Sequence, residues 1–311
     1  MSKENIERFT SLAQALSSIY GKDVRVAKSF RVPGGDINKS YGIQLSCGNV
    51  LFMKANEKNN VDFFVKEANG LKAIASTKAV STPKVLALGT DDGEEVGYSF
   101  LLLDFVELGN LDKCFWERFA ESLSKMHKAD SSFYIPQEDF SKGLVFGFYE
   151  DNYIGRTKQI NTAKSTWLEF FRENRLVPQF KMAEKYFSKE DFSLIDRLLD
   201  KLDCFLVEPE KPSLLHGDLW AGNVMCDTRG QGVLVDPACY VGHPEADIAM
   251  TELFGGFDGR FYSAYKETGL LQPNYGERRD LYNLYHLLNH LNLFGTSYLS
   301  AVKSVVKKYV G

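Results

Sequence analysis

The spacing of apolar residues divides the chain into a strand-rich first part and a mainly helical second part. Up to about residue 106, short segments such as residues 50–55 alternate apolar and polar positions between glycine turns, which is typical of strands. Two other segments, residues 6–19 and 62–76, carry apolar residues at helical spacing. The pattern therefore predicts an α+β N-terminal lobe that consists of an antiparallel sheet plus helix.

The second part of the chain shows mostly the periodicity of helices. Two short apolar strands, residues 223–226 and 233–235, flank a polar turn. At 311 residues the chain is long enough for two lobes, predicted as residues 1–106 and 107–311. Helices are predicted at residues 115–129, 165–175, 191–205, 278–294 and 298–309.

Composition excludes several classes of protein. The chain is 44% apolar and 25% charged, as in a soluble globular protein, and its net charge of -4 disfavours nucleic acid as a partner. A signal peptide and a membrane-spanning apolar stretch are not recognisable, so we expect a cytoplasmic protein. The five dispersed cysteines are expected to be reduced and mostly buried. The sequence leaves the oligomeric state open, a monomer included.

The densest chemical signal is a His-x-Asp motif followed by two further polar residues. Asp218 is followed by Asn223 five residues later and by Asp236 after a further thirteen. Each residue alone is better explained as a turn or helix-cap residue. Together they match the catalytic loop of the protein-kinase-like fold, in which the first aspartate is the base and the other two residues are metal ligands.

The N-terminal part supplies the complementary nucleotide-binding signals. Lys54 on a predicted strand and Glu67 on the next helix fit the pair in which a lysine contacts phosphates and a carboxylate holds the lysine, although a strand lysine can also extend to solvent. Residues Asp104, Phe105 and Val106 occupy the connection between the lobes, whose backbone would pair with adenine.

A glycine turn precedes Lys54 along the chain. Gly34, Gly35 and Asn38 lie between two predicted strands, where backbone amides can approach the phosphates of a nucleotide. The following Lys39 and Ser40 superficially match a phosphate-binding loop of another type, but its glycine positions fall on other residues and no helix follows. A plain hairpin turn remains an equal alternative for this segment.

With these residues in place, the chain resembles the fructosamine kinase (ketosamine-3-kinase) family, in the larger group that includes aminoglycoside phosphotransferases and choline kinases. The matching motifs are residues 215–223 (LHGDLWAGN), 242–247 (GHPEAD) and 151–155 (DNYIG). The resemblance implies a bilobal protein-kinase-like fold with a mainly helical C-terminal lobe. It also implies ATP and Mg²⁺ as cofactors, and transfer of phosphate to the 3-hydroxyl of a free or protein-linked ketosamine.

Residues for the acceptor and for regulation are harder to assign from the sequence. Trp220, Trp167 and His216 are the candidates for substrate contact, and Arg175 is a further option. Gly217 replaces the arginine that pairs with a phosphorylated loop in many protein kinases, so we expect activity without phosphorylation.

Three observations keep alternatives open. Many relatives resembling this chain carry a cysteine in the glycine turn where Asp36 stands, so a thiol switch there is in doubt. The acceptor could instead be an aminoglycoside or an aminoalcohol, and a non-catalytic nucleotide-binding scaffold is the third hypothesis. His286 and His290 are expected to be structural, because their spacing lacks the glutamate of a zinc-protease helix, whereas His243 could shape the active site or brace a turn.

Overall fold

The computed structural model describes residues 7–33, 38–93 and 96–311, and these form two compact units. The first unit consists of the residues up to Asp112 together with the later segment Met225–Asp236. The second unit consists of Lys113–Val224 and Pro237–Gly311. The sequence predicted a single boundary near residue 106. The difference arises because a later pair of strands is hydrogen-bonded to residues of the N-terminal unit that flank its sheet.

The N-terminal unit is built on a sheet of six described strands in the order β1-β5-β6-β4-β3-β2. The other pairs are antiparallel as predicted, whereas the short strand β1 pairs with β5 in parallel, so the sheet of this α+β unit is mixed. The elements are β1 (Arg8–Phe9), α1 (Leu12–Tyr20), β2 (Val26–Arg31), β3 (Lys39–Leu45), β4 (Val50–Glu57), α2 (Val61–Ser76), β5 (Val85–Asp91) and β6 (Tyr98–Asp104).

Alternation along β4 divides the apolar side chains of this unit between the two faces of the sheet. Leu51 and Met53 point to one face, where they join a core with Leu16 of α1. Phe52 points to the other face and packs against the core that includes Phe64 of α2. Because side chains alternate with period two, Lys54 emerges on the face that carries α2.

Residues Met225–Asp236 are tied to this unit by backbone hydrogen bonds. Leu234 N donates to Ser81 O at 2.9 Å, and Gly109 N donates to Cys226 O at 2.9 Å. Gly109 is needed there, because a Cβ atom at this position would lie 2.2 Å from Asp227 O. These bonds attach the residues that precede Asp236 to the N-terminal unit.

The C-terminal unit is mainly helical and agrees with the predicted helices except in one segment. In that segment, residues 165–175, α5 (Trp167–Phe171) passes directly into a π-helix at Arg172–Leu176, and α6 follows from Val177. Its described helices and strands are α3 (Phe115–Lys128), α4 (Gln137–Phe140), β7 (Asn152–Ile154), β8 (Thr157–Gln159), α5 (Trp167–Phe171), α6 (Val177–Met182), α7 (Lys189–Asp200), β9 (Ser213–Leu215), β12 (Tyr240–Gly242), α8 (Pro244–Leu253), α9 (Gly259–Glu267), α10 (Tyr275–Phe294) and α11 (Leu299–Val310). The strands β10 (Val224–Cys226) and β11 (Gly232–Leu234) pair with each other and, apart from Val224, belong to the first unit.

Two further properties bear on the sequence predictions. Among the described residues, no helix has both the length and the apolar character needed to cross a bilayer. Cys47, Cys114 and Cys204 are exposed, whereas Cys226 and Cys239 are buried, so the expectation of mostly buried thiols was wrong.

Candidate active site

A lysine between two carboxylates lies in the N-terminal unit. Lys54 Nζ is 2.6 Å from Glu67 Oε1 on α2 and also forms an ion pair with Asp236, which follows β11. The Lys54 side chain is only 6% exposed, whereas that of Asp236 is 43% exposed. The structure thus brings together three of the predicted nucleotide and metal residues within one unit.

Charge balance explains why this buried lysine stays protonated. Burial alone would lower the pKa of Lys54, but the carboxylates of Asp236 and Glu67 outweigh burial and raise it above its ordinary value. The pKa of Glu67 is raised to about 7, because its own burial and the negative charge of Asp236 act against the stabilising effect of Lys54. The cluster therefore presents a fixed positive charge beside an accessible carboxylate.

The catalytic-loop motif follows β9 in the C-terminal unit. Asn223 Nδ2 donates to Asp218 O at 2.8 Å and lies 3.3 Å from Asp218 Oδ2. Asp218 N donates to His216 Nδ1 at 3.2 Å. The spacing of five residues thus closes a compact loop in which the asparagine orients the aspartate.

Gly217 is the residue that allows this loop to form. Its φ of 81° lies in the left-handed region, and a Cβ atom there would lie 2.1 Å from Ala238 O. Ala238 N in turn donates to His216 O at 2.8 Å. A side chain at position 217, the arginine of protein kinases included, is excluded by this close approach.

A buried aspartate supports the loop by accepting hydrogen bonds from its backbone amides, a role that the sequence analysis did not identify. Asp247 of α8 accepts hydrogen bonds from the amides of His216 at 2.7 Å and Gly217 at 2.9 Å, and it lies 3.1 Å from His127 Nε2. His127 Nδ1 lies 2.6 Å from the hydroxyl of Tyr265. Burial would raise the pKa of Asp247, but its hydrogen bonds and the nearby histidines lower it below the ordinary value.

Asp247 and His127 differ in how clearly the sequence indicates their role in supporting the loop. Asp247 ends the GHPEAD motif and could have been singled out from it. His127 stands near the end of a predicted helix with no neighbouring motif, so only the tertiary structure reveals its contact with Asp247.

The predicted acceptor residues divide into exposed and buried side chains. Trp220 is 39% exposed, and its ring covers Gly222, where a Cβ atom would lie 2.4 Å from the indole. Trp167 and His216 are 0% exposed, so neither side chain offers a surface to a substrate in this structure. Trp167 instead packs in an aromatic core against Phe171. Local sequence could not distinguish these cases, because aromatic residues serve equally in cores and in binding sites.

The nucleotide-side predictions are only partly described. Gly34 and Gly35 lie outside the described residues, whereas Asn38 accepts a hydrogen bond from Asn56 Nδ2 at 2.7 Å. Asp104 N donates to Lys84 O at 3.1 Å as part of the sheet, so that amide is already engaged.

The segment after β6 borders a cleft within the N-terminal unit. The cleft has a volume of about 340 Å³, and its lining includes Phe105, Val106 and Glu107. The proposed contact of Phe105 and Val106 with adenine stays a prediction.

The donor atoms at the predicted metal ligands suit a hard divalent cation. Asn223 uses its Nδ2 to bond Asp218, which leaves Oδ1 as the donor atom for a metal. Asp236 contributes a partly exposed carboxylate, and its φ of 55° is uncommon for a residue other than glycine. Carboxylate and amide oxygens are ligands that Mg²⁺ prefers, so the residues fit the predicted ion.

The fold and these motifs define a small-molecule phosphotransferase with a protein-kinase-like fold. A solved amicoumacin kinase shares that fold, with a TM-score of 0.57 at 13% identity, covering 92% of this chain and 87% of its own. More specifically, the chain belongs to the fructosamine kinase family, whose model matches residues 8–311.

Close relatives support the same assignment over nearly the whole chain. A probable ketoamine kinase from Synechocystis is 35% identical, over 96% of this chain and 95% of its own length. A chloroplastic protein-ribulosamine 3-kinase from Oryza sativa subsp. indica is 38% identical, over 93% of this chain and 81% of its own. A crystal structure from Haemophilus somnus, assigned as a fructosamine-3-kinase, has a TM-score of 0.81 at 28% identity and covers 97% of both chains.

Proposed function

We propose that this chain is an ATP-dependent kinase that phosphorylates the 3-hydroxyl of ketosamines, free or linked to protein. The observation that carries this proposal is the family match over residues 8–311 together with the rice protein-ribulosamine 3-kinase at 38% identity. Lys54, Glu67, Asp218, Asn223 and Asp236 are all present, which argues against a non-catalytic scaffold. The proposed setting is the cytoplasm, where ATP is available.

Asp218 is the proposed acid-base residue. Its carboxylate accepts the proton of the acceptor hydroxyl as the oxygen bonds to the γ-phosphorus of ATP. The bond from the γ-phosphorus to the bridging oxygen breaks, and that electron pair leaves with ADP. Asn223 and the amide hydrogen bond to His216 Nδ1 hold Asp218 in one orientation during the transfer.

The nucleotide contacts follow from the charges in the N-terminal unit. Lys54 is the proposed partner of the α- and β-phosphates, held by Glu67 at 2.6 Å. Asn223 and Asp236 would hold Mg²⁺ through their side-chain oxygens. The ion, when bound, neutralises negative charge on the phosphates.

The acceptor contact rests on the exposed tryptophan. The uncovered face of Trp220 can stack on a sugar ring, since aromatic faces bind the apolar side of sugars. Phosphorylation at the 3-hydroxyl introduces a good leaving group, whose departure destabilises the adduct and frees the amine. Because no side chain fits at Gly217, the proposed activity needs no loop phosphorylation.

An acceptor screen tests the proposal. ADP formation would be measured with a ribulosamine, a fructosamine, kanamycin and choline, each with Mg²⁺ and ATP. We expect turnover with a ketosamine and none with Asp218→Asn, which should still bind nucleotide. Turnover with kanamycin or choline alone would refute the ketosamine assignment, and nucleotide binding without turnover on any acceptor would favour the scaffold.

A further inference from the structure

Arg175 is a buried cation without a matching anion in the part of the chain that the structure describes. Its exposure is 0%, and no described carboxylate lies within ion-pair distance of its guanidinium. Burying an unpaired charge is costly, so such a residue is retained only where its contacts are specific. The segment Arg172–Leu176 is also a π-helix, an irregularity frequent at functional sites.

Neutral groups hold the two terminal nitrogens of the guanidinium, whereas the buried Nε has no hydrogen-bond partner. Nη1 donates to Ile160 O at 2.6 Å and Nη2 donates to Asn161 Oδ1 at 2.8 Å. The rings of Tyr240 and Phe170 lie 4.0 and 4.5 Å from its central carbon, so cation–π attraction replaces an ion pair. Arg175 thus clamps the strand end at residues 160–161 to the aromatic core.

Those residues follow a hairpin that is fastened to the segment after Asp236. Strands β7 and β8 pair with Asn152 opposite Gln159. Gln159 Nε2 donates to Ala238 O at 3.0 Å and Asn152 Nδ2 donates to Cys239 O at 2.8 Å. Asn161 Nδ2 donates to Asn152 Oδ1 at 2.9 Å, so the residue that Arg175 grips also orients the carboxamide on Cys239.

The same network reaches the catalytic loop through Ala238. Ala238, which accepts from Gln159, donates its own amide to His216 O at 2.8 Å. Tyr285 donates to Gln159 Oε1 at 2.8 Å. The hairpin is thus joined through Ala238 to His216, two positions before Asp218.

We propose that Arg175 is a positioning residue, which locks the β7–β8 hairpin onto Ala238–Cys239 so that the hairpin forms a fixed wall of the acceptor site. Arg175 does so without touching the acceptor, because its side chain is fully buried. Arg156 and Lys158 of the hairpin are exposed, and Lys158 Nζ lies 3.1 Å from Asp151 Oδ2. This inference rests on the proposed ketosamine kinase activity.

The alternative is that Arg175 contributes only to stability. Arg278 in the same unit provides a control for this alternative. Arg278 is 4% exposed and forms two hydrogen bonds with Glu245, at 2.7 and 2.8 Å. It is a buried arginine with a paired carboxylate and no contact with the hairpin in the described network. Arg278→Lys therefore matches Arg175→Lys in chemistry but not in the proposed role.

The test compares acceptor phosphorylation with the slow transfer of phosphate from ATP to water. For Arg175→Met we expect the ratio of ketosamine phosphorylation to ATP hydrolysis to fall at least about tenfold, with a higher acceptor KM and a nucleotide Kd changed less than about twofold. Arg175→Lys should lie between, because lysine keeps the charge over the rings but loses the fork. Amide exchange in residues 152–161 should rise in both variants, and Arg278→Lys should leave the ratio unchanged.

Distinct results would overturn each idea. Equal losses of both reactions, or an unchanged acceptor KM with unchanged exchange in the hairpin, would show that Arg175 is only structural. If Arg175→Met does not fold, Arg175→Lys decides by the same ratio. Absence of any ketosamine phosphorylation by the unmodified protein would instead refute the proposed function, while faster exchange in the hairpin of either variant would still support the clamp.

Discussion

Replacing Asp247 with asparagine should detach the catalytic loop from the helix that supports it. The carboxylate accepts hydrogen bonds from the amides of His216 and Gly217, at 2.7 and 2.9 Å, and lies 3.1 Å from His127 Nε2. Asparagine offers one acceptor oxygen and an NH₂ group that only donates. At least one loop amide would therefore face another donor inside the protein.

The expected losses follow from these bonds. A hydrogen bond to a charged group contributes about 1.5–3 kcal/mol, and a buried donor left unpaired costs about 1–3 kcal/mol. We expect Asp247→Asn to lower the free energy of unfolding by about 2–4 kcal/mol. The kcat should fall at least about tenfold. A misplaced Asp218 has to raise the activation free energy by only about 1.4 kcal/mol to cause that loss. Nucleotide affinity should hardly change, because Lys54 and Glu67 belong to the other unit.

The pH dependence of the free energy of unfolding gives an independent check that the Asp247 carboxylate stabilises the fold. The folded pKa of Asp247 lies below its ordinary value, so its contribution is present above about pH 4 and is lost as the pH falls through the folded pKa. Denaturant unfolding at several pH values would show this loss in the unmodified protein and not in Asp247→Asn. Asp196→Asn is the matched control, because it makes the same substitution at an exposed position of α7. A folded Asp247→Asn protein with unmodified kcat would refute the reasoning.

Three further predictions concern the loop, the lysine cluster and acid stability. Gly217→Ala should lower the free energy of unfolding by at least about 1–2 kcal/mol and the kcat by about tenfold or more, because a Cβ atom would lie 2.1 Å from Ala238 O. Denaturant unfolding and steady-state kinetics would measure the two effects, and values equal to those of the unmodified protein would contradict the assigned clash. Lys54→Met should weaken nucleotide binding measured by calorimetry at least about tenfold, since one fixed positive charge is lost; unchanged affinity would contradict its assigned contact. Burial lowers the pKa values of His243 and His286 to about 3, so both side chains are neutral in the folded protein. Between pH 7 and pH 5 they become protonated only in the unfolded chain, so each should lower the free energy of unfolding by about 2 kcal/mol. In denaturant unfolding His286→Asn should remove about half of this pH dependence, and an unchanged pH profile would contradict the assignment.

Motifs with a fixed chemical spacing were the most predictable part of the site. Asp218 and Asn223 act within one loop, so a separation of five residues already determines that they meet. Lys54 and Glu67 were paired from the order of strand and helix, and their contact at 2.6 Å is present. In both cases local geometry and phosphate chemistry constrain the residues strongly.

Contacts that depend on packing could not be predicted in the same way. Residues Pro244–Thr251 of α8 are all buried, so the helix shows no polar face and its periodicity gives little signal. Trp167 and Trp220 look alike in sequence, yet the first is enclosed by a core and the second covers Gly222. The parallel pairing of β1 with β5 depends on the tertiary path of the chain rather than on residue pattern.

The π-helix at Arg172–Leu176 shows a further limit of periodicity. An extra residue in a turn changes the direction of every side chain after it, and a helical pattern of 3.6 residues does not reveal where that occurs. Arg175 was therefore a candidate for acceptor contact from the sequence, but its side chain is directed into the core.

The most direct test of the account is to identify the product formed from a ketosamine. The protein would be incubated with ATP, Mg²⁺ and a fructosamine or ribulosamine of a blocked lysine, and the product analysed by phosphorus and proton NMR with mass spectrometry. The account predicts one added phosphate on the 3-hydroxyl, followed by release of the free amine, and no product with Asp218→Asn. Phosphate at another hydroxyl, or an unaltered ketosamine in the presence of bound nucleotide, would contradict it.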